Sequence, residues 1–287
     1  MTGRARRGSR LGVGESRSAI IGIGVAAWVV VMLWIFPVAW TLLTSFKTEQ
    51  DASAQTLHNG LTFGRYSDVS HSTTGTLSLS AAFTNSLVVV GVSTVIVMLL
   101  ALPAAYALAI RPVPKWRDVL FFFISTKFLP IVASIFPIYV YAQKWNLIGT
   151  RTILIVLYIA INLPLAIWML RSFFVEVPRE LIEASEIDGT SLFNQLRSVI
   201  LPIAAPGIAA TALLCVIFAW NEYFYAIQLN FAGASTMPQW VIGNVSTRGN
   251  FLAKLSAASI IACLPVVLAG WAAQKRMIRG LSMGAIK

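Results

Sequence analysis

Acidic residues are concentrated in one short stretch of a chain that is basic overall. Five of the 11 aspartates and glutamates fall within residues 171–205, beside three arginines, and they are Glu176, Glu180, Glu183, Glu186 and Asp188. Such carboxylates can cap helices or pair with basic groups of a partner protein. On charge alone, an acidic solvated loop explains them equally well. The order of the residues must decide between the two interpretations.

Two further ionisable residues, Lys127 and Glu222, lie in long apolar stretches. Ionisable groups at membrane depth are costly and are therefore functional by default. Lys127 can snorkel or pair between helices, or it can line a solute path. Glu222 stands beside Trp220 and Asn221 near the outer end of its stretch, and a scaffold contact is the alternative to a role in binding.

Nucleotide, metal and disulfide chemistry find no support in the residue pattern. A P-loop needs Gly-Lys-Ser/Thr after a strand, whereas the only lysine followed by Ser or Thr is Lys47, which follows an apolar residue. His58 and His71 lack metal-ligand spacing, and both cysteines, Cys215 and Cys263, lie in apolar blocks. We therefore expect no ATPase site, no metal site and no cofactor in this chain.

The elements that position these residues are predicted to be membrane-spanning helices. Of 287 residues, 57% are hydrophobic and 11% are charged, and the mean hydropathy is +0.76; a soluble domain carries about 25% charged residues. Alternating barrel strands are absent from the pattern. An all-α integral membrane protein is predicted, with six uncharged runs long enough to span a bilayer: 19–46, 81–110, 119–143, 152–170, 206 to beyond 220, and 255–274.

The distribution of lysine and arginine predicts the orientation. With the N-terminus inside, inner segments hold fifteen of these residues and outer segments hold six, so both termini are expected to be cytoplasmic in a cell membrane. The net charge of +11 is spread over several loops, as expected for contact with anionic lipid and not for nucleic acid. Residues 1–18 are predicted to be a disordered basic tail, 19–46 a retained first helix, and 47–80 an extracytoplasmic loop. The remaining divisions are a five-helix core over 81–275, a loop at 176–205, and a cytoplasmic tail over 276–287.

The acidic loop itself is predicted to be a helix-turn-helix. Pro178 suits the first position of a helix, and Gly189 suits a left-handed stop. Thr190 or Ser191 can cap a second helix, which Pro202 disrupts. A pair of short helices should therefore lie at the cytoplasmic surface.

The residue order in this loop resembles the EAA motif of ABC-importer permeases. That motif reads Glu-Ala-Ala, three residues, Gly, nine residues, Ile-x-Leu-Pro. The chain matches the spacing throughout, and the residues are Glu183, Ala184, Ser185, Gly189, Val199, Leu201 and Pro202. Ser185 for Ala and Val199 for Ile are mild departures, and the neighbouring Asp188 also resembles the family. The resemblance covers about residues 20 to 287 and is weakest over 45–80.

Three other segments narrow the resemblance to carbohydrate-uptake permeases. Residues 219–224, AWNEYF, resemble a Trp-Asn-Glu/Asp segment of those proteins. Residues 274–287 resemble the ending of the maltose-transporter G-type subunit, and 125–130, STKFLP, resemble a segment of polyol-transporter members. The resemblance implies a type I ABC-importer permease fold, with a cytoplasmic coupling helix that docks on an ATPase. The implied coupling residues are Glu183, Ala184, Ser185, Asp188, Gly189, Leu201 and Pro202.

The resemblance also implies partners. These are a second related permease, an ABC ATPase dimer that binds ATP and Mg, and an extracytoplasmic solute-binding protein that delivers a sugar or polyol. A carboxylate, an amide and an aromatic face suit a hydroxyl-rich solute, so Trp220, Asn221, Glu222 and Lys127 are candidates for the substrate path. The alternatives are an ion-coupled secondary transporter, a membrane-embedded enzyme, and an ABC permease for another solute such as glycerol phosphate.

Overall fold

The computed structural model describes residues 17–55, 60–71, 78–111, 113–230, 234–243 and 251–284, with side chains from residue 21 to residue 274 of those ranges. Within them the chain is helical and contains no strand. The α-helices, in chain order, are α1 (Arg17–Thr44), α2 (Glu49–Ser53), α3 (Gly64–Ser70), α4 (Leu79–Ile110), α5 (Trp116–Ser125), α6 (Ile131–Lys144), α7 (Arg151–Val175), α8 (Arg179–Ile187), α9 (Leu192–Gln195), α10 (Leu201–Ile203), α11 (Ala205–Trp220), α12 (Phe224–Leu229), α13 (Met237–Gly243) and α14 (Leu252–Gly284).

Six membrane spans can be assigned among the described residues. The four helices α1, α4, α7 and α14 are each long and apolar enough to cross a bilayer. Two bent pairs complete the set when each is counted as one span: α5 with α6, and the segment from α9 to α10 with α11. The prediction of an all-helical membrane protein with six spans is confirmed on that count.

The third span is broken, although its sequence reads as one apolar run. α5 ends in a 3-10 turn at Thr126–Phe128, and α6 then leaves at 87° to it. Leu129 is extended, with φ −65° and ψ 125°, because a residue before proline avoids helical geometry and Pro130 has no N–H to donate. Lys127 therefore lies at a break and not within a straight helix.

The fifth and sixth spans end at residues other than those predicted. α11 ends at Trp220, so Asn221 and Glu222 follow the helix and are not part of it. α14 continues through Lys275 and Arg276 to Gly284, so the predicted tail begins as helix. Of the predicted N-terminal tail, residues 1–16 lie outside the described part of the chain, as do His58 and residues 285–287.

Two clusters of buried apolar side chains hold the bundle together. α4 and α7 lie side by side and contribute to both clusters. One cluster joins them to α3, α12 and α13 around Tyr158, Trp220 and Trp240. The other lies around Leu170 and Phe174 and includes Ile182 of α8. The second cluster thus seats the acidic loop against the ends of the two central spans.

Candidate functional site: the coupling surface and the membrane-depth residues

The helix α8 begins and ends at defined points. Pro178 precedes the first helical residue, Arg179, so it occupies the cap position, one residue before the predicted place. At the other end the Gly189 N–H donates to Glu186 O and the Thr190 N–H donates to Ser185 O, both at 3.0 Å. Gly189 adopts φ +69°. This pattern is a Schellman stop, in which the left-handed residue is usually glycine.

The second helix of the predicted pair is also present, but it is irregular. The Ser191 hydroxyl, not that of Thr190, accepts a hydrogen bond from the Asn194 N–H at 3.4 Å and caps α9. The chain then widens into a π-helical stretch over Leu196–Ile200 before α10. Pro202 explains the irregularity, because it supplies no N–H to the preceding turn.

Burial divides the predicted coupling residues into two groups. Glu183, Ala184, Asp188 and Gly189 are exposed, and so is Pro202; Leu201 is half-buried and Ser185 is buried. Ile187 lies on the exposed side of α8 with 86% of its surface accessible, the highest value for a large apolar side chain in the part of the chain described. Leu192 and Phe193 continue this surface and are also exposed. The face therefore combines exposed carboxylates with exposed apolar groups.

The inner side of α8 meets a polar network that the sequence did not reveal. Gln195 is fully buried; its amide donates to the Ser185 hydroxyl at 2.6 Å and its oxygen accepts from the Tyr106 hydroxyl. Arg111 donates to Glu186 at 3.1 Å and to the Tyr106 hydroxyl at 3.2 Å. The only available signal was Ser185 itself, because a hydroxyl where the motif has a methyl group needs a partner when buried.

The membrane-depth residues are tied to backbone groups. Lys127 Nζ donates to Ile161 O of α7 at 2.6 Å, and the Lys127 side chain remains exposed. The two carboxylate oxygens of Glu222 accept from the Tyr225 N–H at 2.9 Å and the Ala226 N–H at 3.3 Å. Glu222 thus caps the start of α12.

The other two candidates differ in exposure. Trp220 is buried, and its Nε1 donates to Ala262 O of α14 at 3.0 Å. Asn221 is exposed, and its amide donates to Ile217 O at 2.8 Å. The Tyr158 hydroxyl of α7 donates to the backbone oxygen of Glu222 at 3.3 Å. Lys127 and Glu222 are therefore both hydrogen-bonded to α7, at Ile161 and Tyr158 respectively, which lie within one helical turn of each other.

Comparison with known proteins identifies the class. Residues 99–280 match the family model described as the binding-protein-dependent transport system inner membrane component. The chain is 31% identical over 257 residues to the trehalose transport system permease protein SugB of Mycobacterium tuberculosis, covering 88% of this chain and 92% of that protein. It is also 31% identical over 271 residues to the sulfoquinovosyl glycerol transport system permease protein SmoH of Agrobacterium fabrum, covering 92% of each.

A solved structure supports the fold. A chain of a bacterial ABC transporter involved in the import of the acidic polysaccharide alginate superposes with a TM-score of 0.70 at 22% identity, covering 91% of this chain and 98% of that one. The chain belongs to the inner membrane components of binding-protein-dependent transport systems and has the type I ABC-importer permease fold. It is a multi-pass transport component and not an enzyme. Family membership also excludes the ion-coupled secondary transporter and the membrane-embedded enzyme.

Proposed function

We infer that the chain is one of two permease subunits that together form a translocation path for a sugar or polyol. The observation that carries the proposal is the exposed face of α8. There Glu183, Asp188 and Ile187 are presented by a helix whose end is fixed at Gly189. A short helix with a defined stop transmits a displacement better than a flexible loop does. A separate ATPase dimer, which binds ATP and Mg, docks on this face and drives the transport cycle.

A second permease subunit is proposed to complete the path, and much of the apolar surface of the described residues is open to such a subunit or to lipid. The α1 side chains are largely exposed along its length, with Trp28 at 66% and Trp34 at 78%. Phe121 and Phe136, on the two arms of the broken third span, are each 74% exposed. Surfaces of this kind face lipid or another apolar chain. The family description supports the third partner, a solute-binding protein, which we propose to dock on the side opposite α8.

The substrate path is proposed to pass the break in the third span. Lys127 and Asn221 are exposed and carry polar groups near α7 and the end of α11, respectively. Trp220 and Glu222 hold this region in place through α14 and α12. The solute class follows from the relatives, whose names specify trehalose and sulfoquinovosyl glycerol. Both termini are proposed to lie on the same side as α8, in the cytoplasm, since inner segments hold most of the lysine and arginine.

Co-purification from the native host tests the proposal. A tagged chain, gently solubilised, should bring down a P-loop ATPase and a second multi-spanning permease in stoichiometric amounts. Glu183→Lys should reduce the ATPase yield several-fold. Asp68→Lys, the same charge change on α3 at the other cluster, should leave the ATPase yield unchanged. A homo-oligomer without an ATPase would contradict the proposal.

Uptake assays decide the solute. A strain lacking the gene should lose uptake of one sugar or polyol from a labelled panel and regain it with the unmodified chain. Selective loss of glycerol phosphate uptake would show that the solute is anionic, with Lys127 as the cation nearest the path. Unchanged uptake of every carbohydrate in the panel would contradict the sugar assignment.

A further inference from the structure

We propose that Gln195 is a positioning residue that fastens the coupling helix α8 to the end of α4. The consequence is that α8, α9 and the last turn of α4 move as one body when the ATPase acts. The proposal rests on the proposed function, since it concerns how a displacement of α8 reaches the membrane spans.

The side-chain amide of Gln195 uses all of its hydrogen-bonding capacity. Nε2 donates to the Ser185 hydroxyl at 2.6 Å and to Ile182 O at 3.3 Å, so both of its N–H groups point into α8. Oε1 accepts from the Tyr106 hydroxyl and, at 3.5 Å, from Arg111, so both acceptor positions are used by α4 and the residue that follows it. A side-chain amide has two donors and two acceptor positions. This single group therefore joins three segments: α8, α9 and the end of α4.

Burial makes these hydrogen bonds strong determinants of geometry. Gln195 is 0% exposed, and Ser185 and Tyr106 are each 6% exposed. A buried polar network whose members are satisfied specifies one arrangement, because leaving any member unpaired is costly. The nearby Arg111–Glu186 ion pair is different, with side chains 33% and 46% exposed. An ion pair that exposed contributes little by itself, so the buried amide is the main link.

Gln195 also accounts for the departure from the motif at Ser185. The hydroxyl of Ser185 donates to Ile182 O at 2.6 Å and accepts from Gln195. Alanine at this position, as in the motif, would leave one amide N–H of Gln195 without an acceptor, and only the bond to Ile182 O at 3.3 Å would remain. The Ser185 hydroxyl therefore serves as the acceptor that the buried Gln195 amide needs, which gives a physical reason for serine at this motif position.

The first test is the ratio of solute transported to ATP hydrolysed, in proteoliposomes that contain the full importer and its binding protein. Gln195→Leu keeps the size of the side chain but removes its hydrogen bonds. We expect the variant to retain its ATPase on purification while the ratio of solute transported to ATP hydrolysed falls, because a displacement of α8 is then no longer passed to α4 through the buried hydrogen bonds. Gln50→Leu is the matched control, because Gln50 is exposed on α2, and its ratio should not change.

A second variant separates positioning from packing. The triple change Ser185→Ala, Tyr106→Phe and Gln195→Leu removes the three buried polar groups together, and the partly exposed Arg111, which loses two acceptors, can turn to solvent. It should restore stability without restoring the hydrogen bonds. A positioning role predicts normal thermal stability with the transport ratio still reduced. Recovery of the ratio to the unmodified value would show that Gln195 only packs, and would overturn the proposal.

Cross-linking at the exposed ion pair beside the network tests the one-body motion, with the unlinked double-cysteine importer as the reference because Arg111 also donates to Tyr106 and Gln195. In a Cys263→Ser background, with Cys215 buried, Arg111→Cys and Glu186→Cys can be joined by a bifunctional reagent whose spacer replaces the two longer native side chains, the ends of which lie 3.1 Å apart. If the two segments move together, the cross-linked importer should transport at the rate of the unlinked one. Loss of transport on cross-linking, with the ATPase still bound, would overturn the proposal. Failure of the unmodified chain to bind any ATPase would overturn the proposed function, and this inference with it.

Discussion

Substitution of Gly189 should weaken the docking of the ATPase by an amount set by the backbone alone. Gly189 has φ +69°, and a Cβ placed on it would meet no atom within 4 Å. The left-handed conformation costs about 1–2 kcal/mol for a residue with a side chain, and Asn tolerates it best. In a variant the turn can relax in the free permease and must be restored on docking, so this cost is the upper limit of the loss in affinity. Since 1.4 kcal/mol corresponds to a factor of ten, Gly189→Ala should reduce the affinity of the ATPase by up to about 5- to 30-fold. Gly189→Asn should reduce it less, and the β-branched Gly189→Val should reduce it more.

The affinity can be measured by titrating the purified ATPase onto the permease heterodimer in nanodiscs. Gly91→Ala is the control: Gly91 lies within α4 with equally open space around it, and it carries no positive φ. That change should leave the affinity unaffected. The reasoning is refuted if Gly189→Asn is as damaging as Gly189→Val, because a steric or chemical requirement would then outweigh the backbone one. Unchanged affinity in Gly189→Ala would refute it equally.

Three further substitutions test other parts of the structure. Gly207→Ala would place a Cβ against the ring of Phe173 with too little space for it, so it should lower the Tm by the equivalent of about 1–3 kcal/mol of overpacking. Phe173→Ala in the same chain should recover part of the lost Tm. Glu222→Ala removes the cap of α12 and should destabilise the purified complex by about 1 kcal/mol, measured as a lower Tm. Glu222→Gln keeps an acceptor oxygen and should lower the Tm less. Arg171 lies 3.7 Å above the ring of Trp116, so Arg171→Lys should lower the Tm, although the charge is kept, because the ammonium cannot reproduce the stacked planar contact; an unchanged Tm would contradict this.

The sequence predicted the features that local chemistry determines. A glycine after an apolar-periodic segment indicated the stop at Gly189, and the proline at 178 indicated the start of α8 to within one residue. The six apolar runs follow from bilayer thickness. The contact of the acidic loop with an ATPase is implied by the resemblance of its residue order to the EAA motif, and it stays a prediction. Helical periodicity explains only which positions of α8 are exposed and which are buried.

The remaining features depend on contacts between distant parts of the chain. Pro130 lies at the break between two helices at 87°, whereas Pro103 and Pro164 remain within helices. A proline in the sequence therefore does not by itself show whether a span is broken. The role of Gln195 depends on Tyr106, 89 residues earlier. Glu222 looked like a binding carboxylate from its neighbours, but the end of α11 two residues before it places its oxygens on the backbone of α12.

The central claim is that the exposed face of α8 contacts an ATPase, and site-specific photo-cross-linking from Ile187 tests it most directly. Ile187 is 86% exposed on that face, and Leu61, 72% exposed between α2 and α3, is the control position. With a photoreactive amino acid at residue 187, illumination of membranes from the native host should give an adduct that mass spectrometry identifies as a P-loop ATPase. The same residue at position 61 should give none. Equal labelling from both positions, or no ATPase adduct from position 187 in an assembled importer, would contradict the claim.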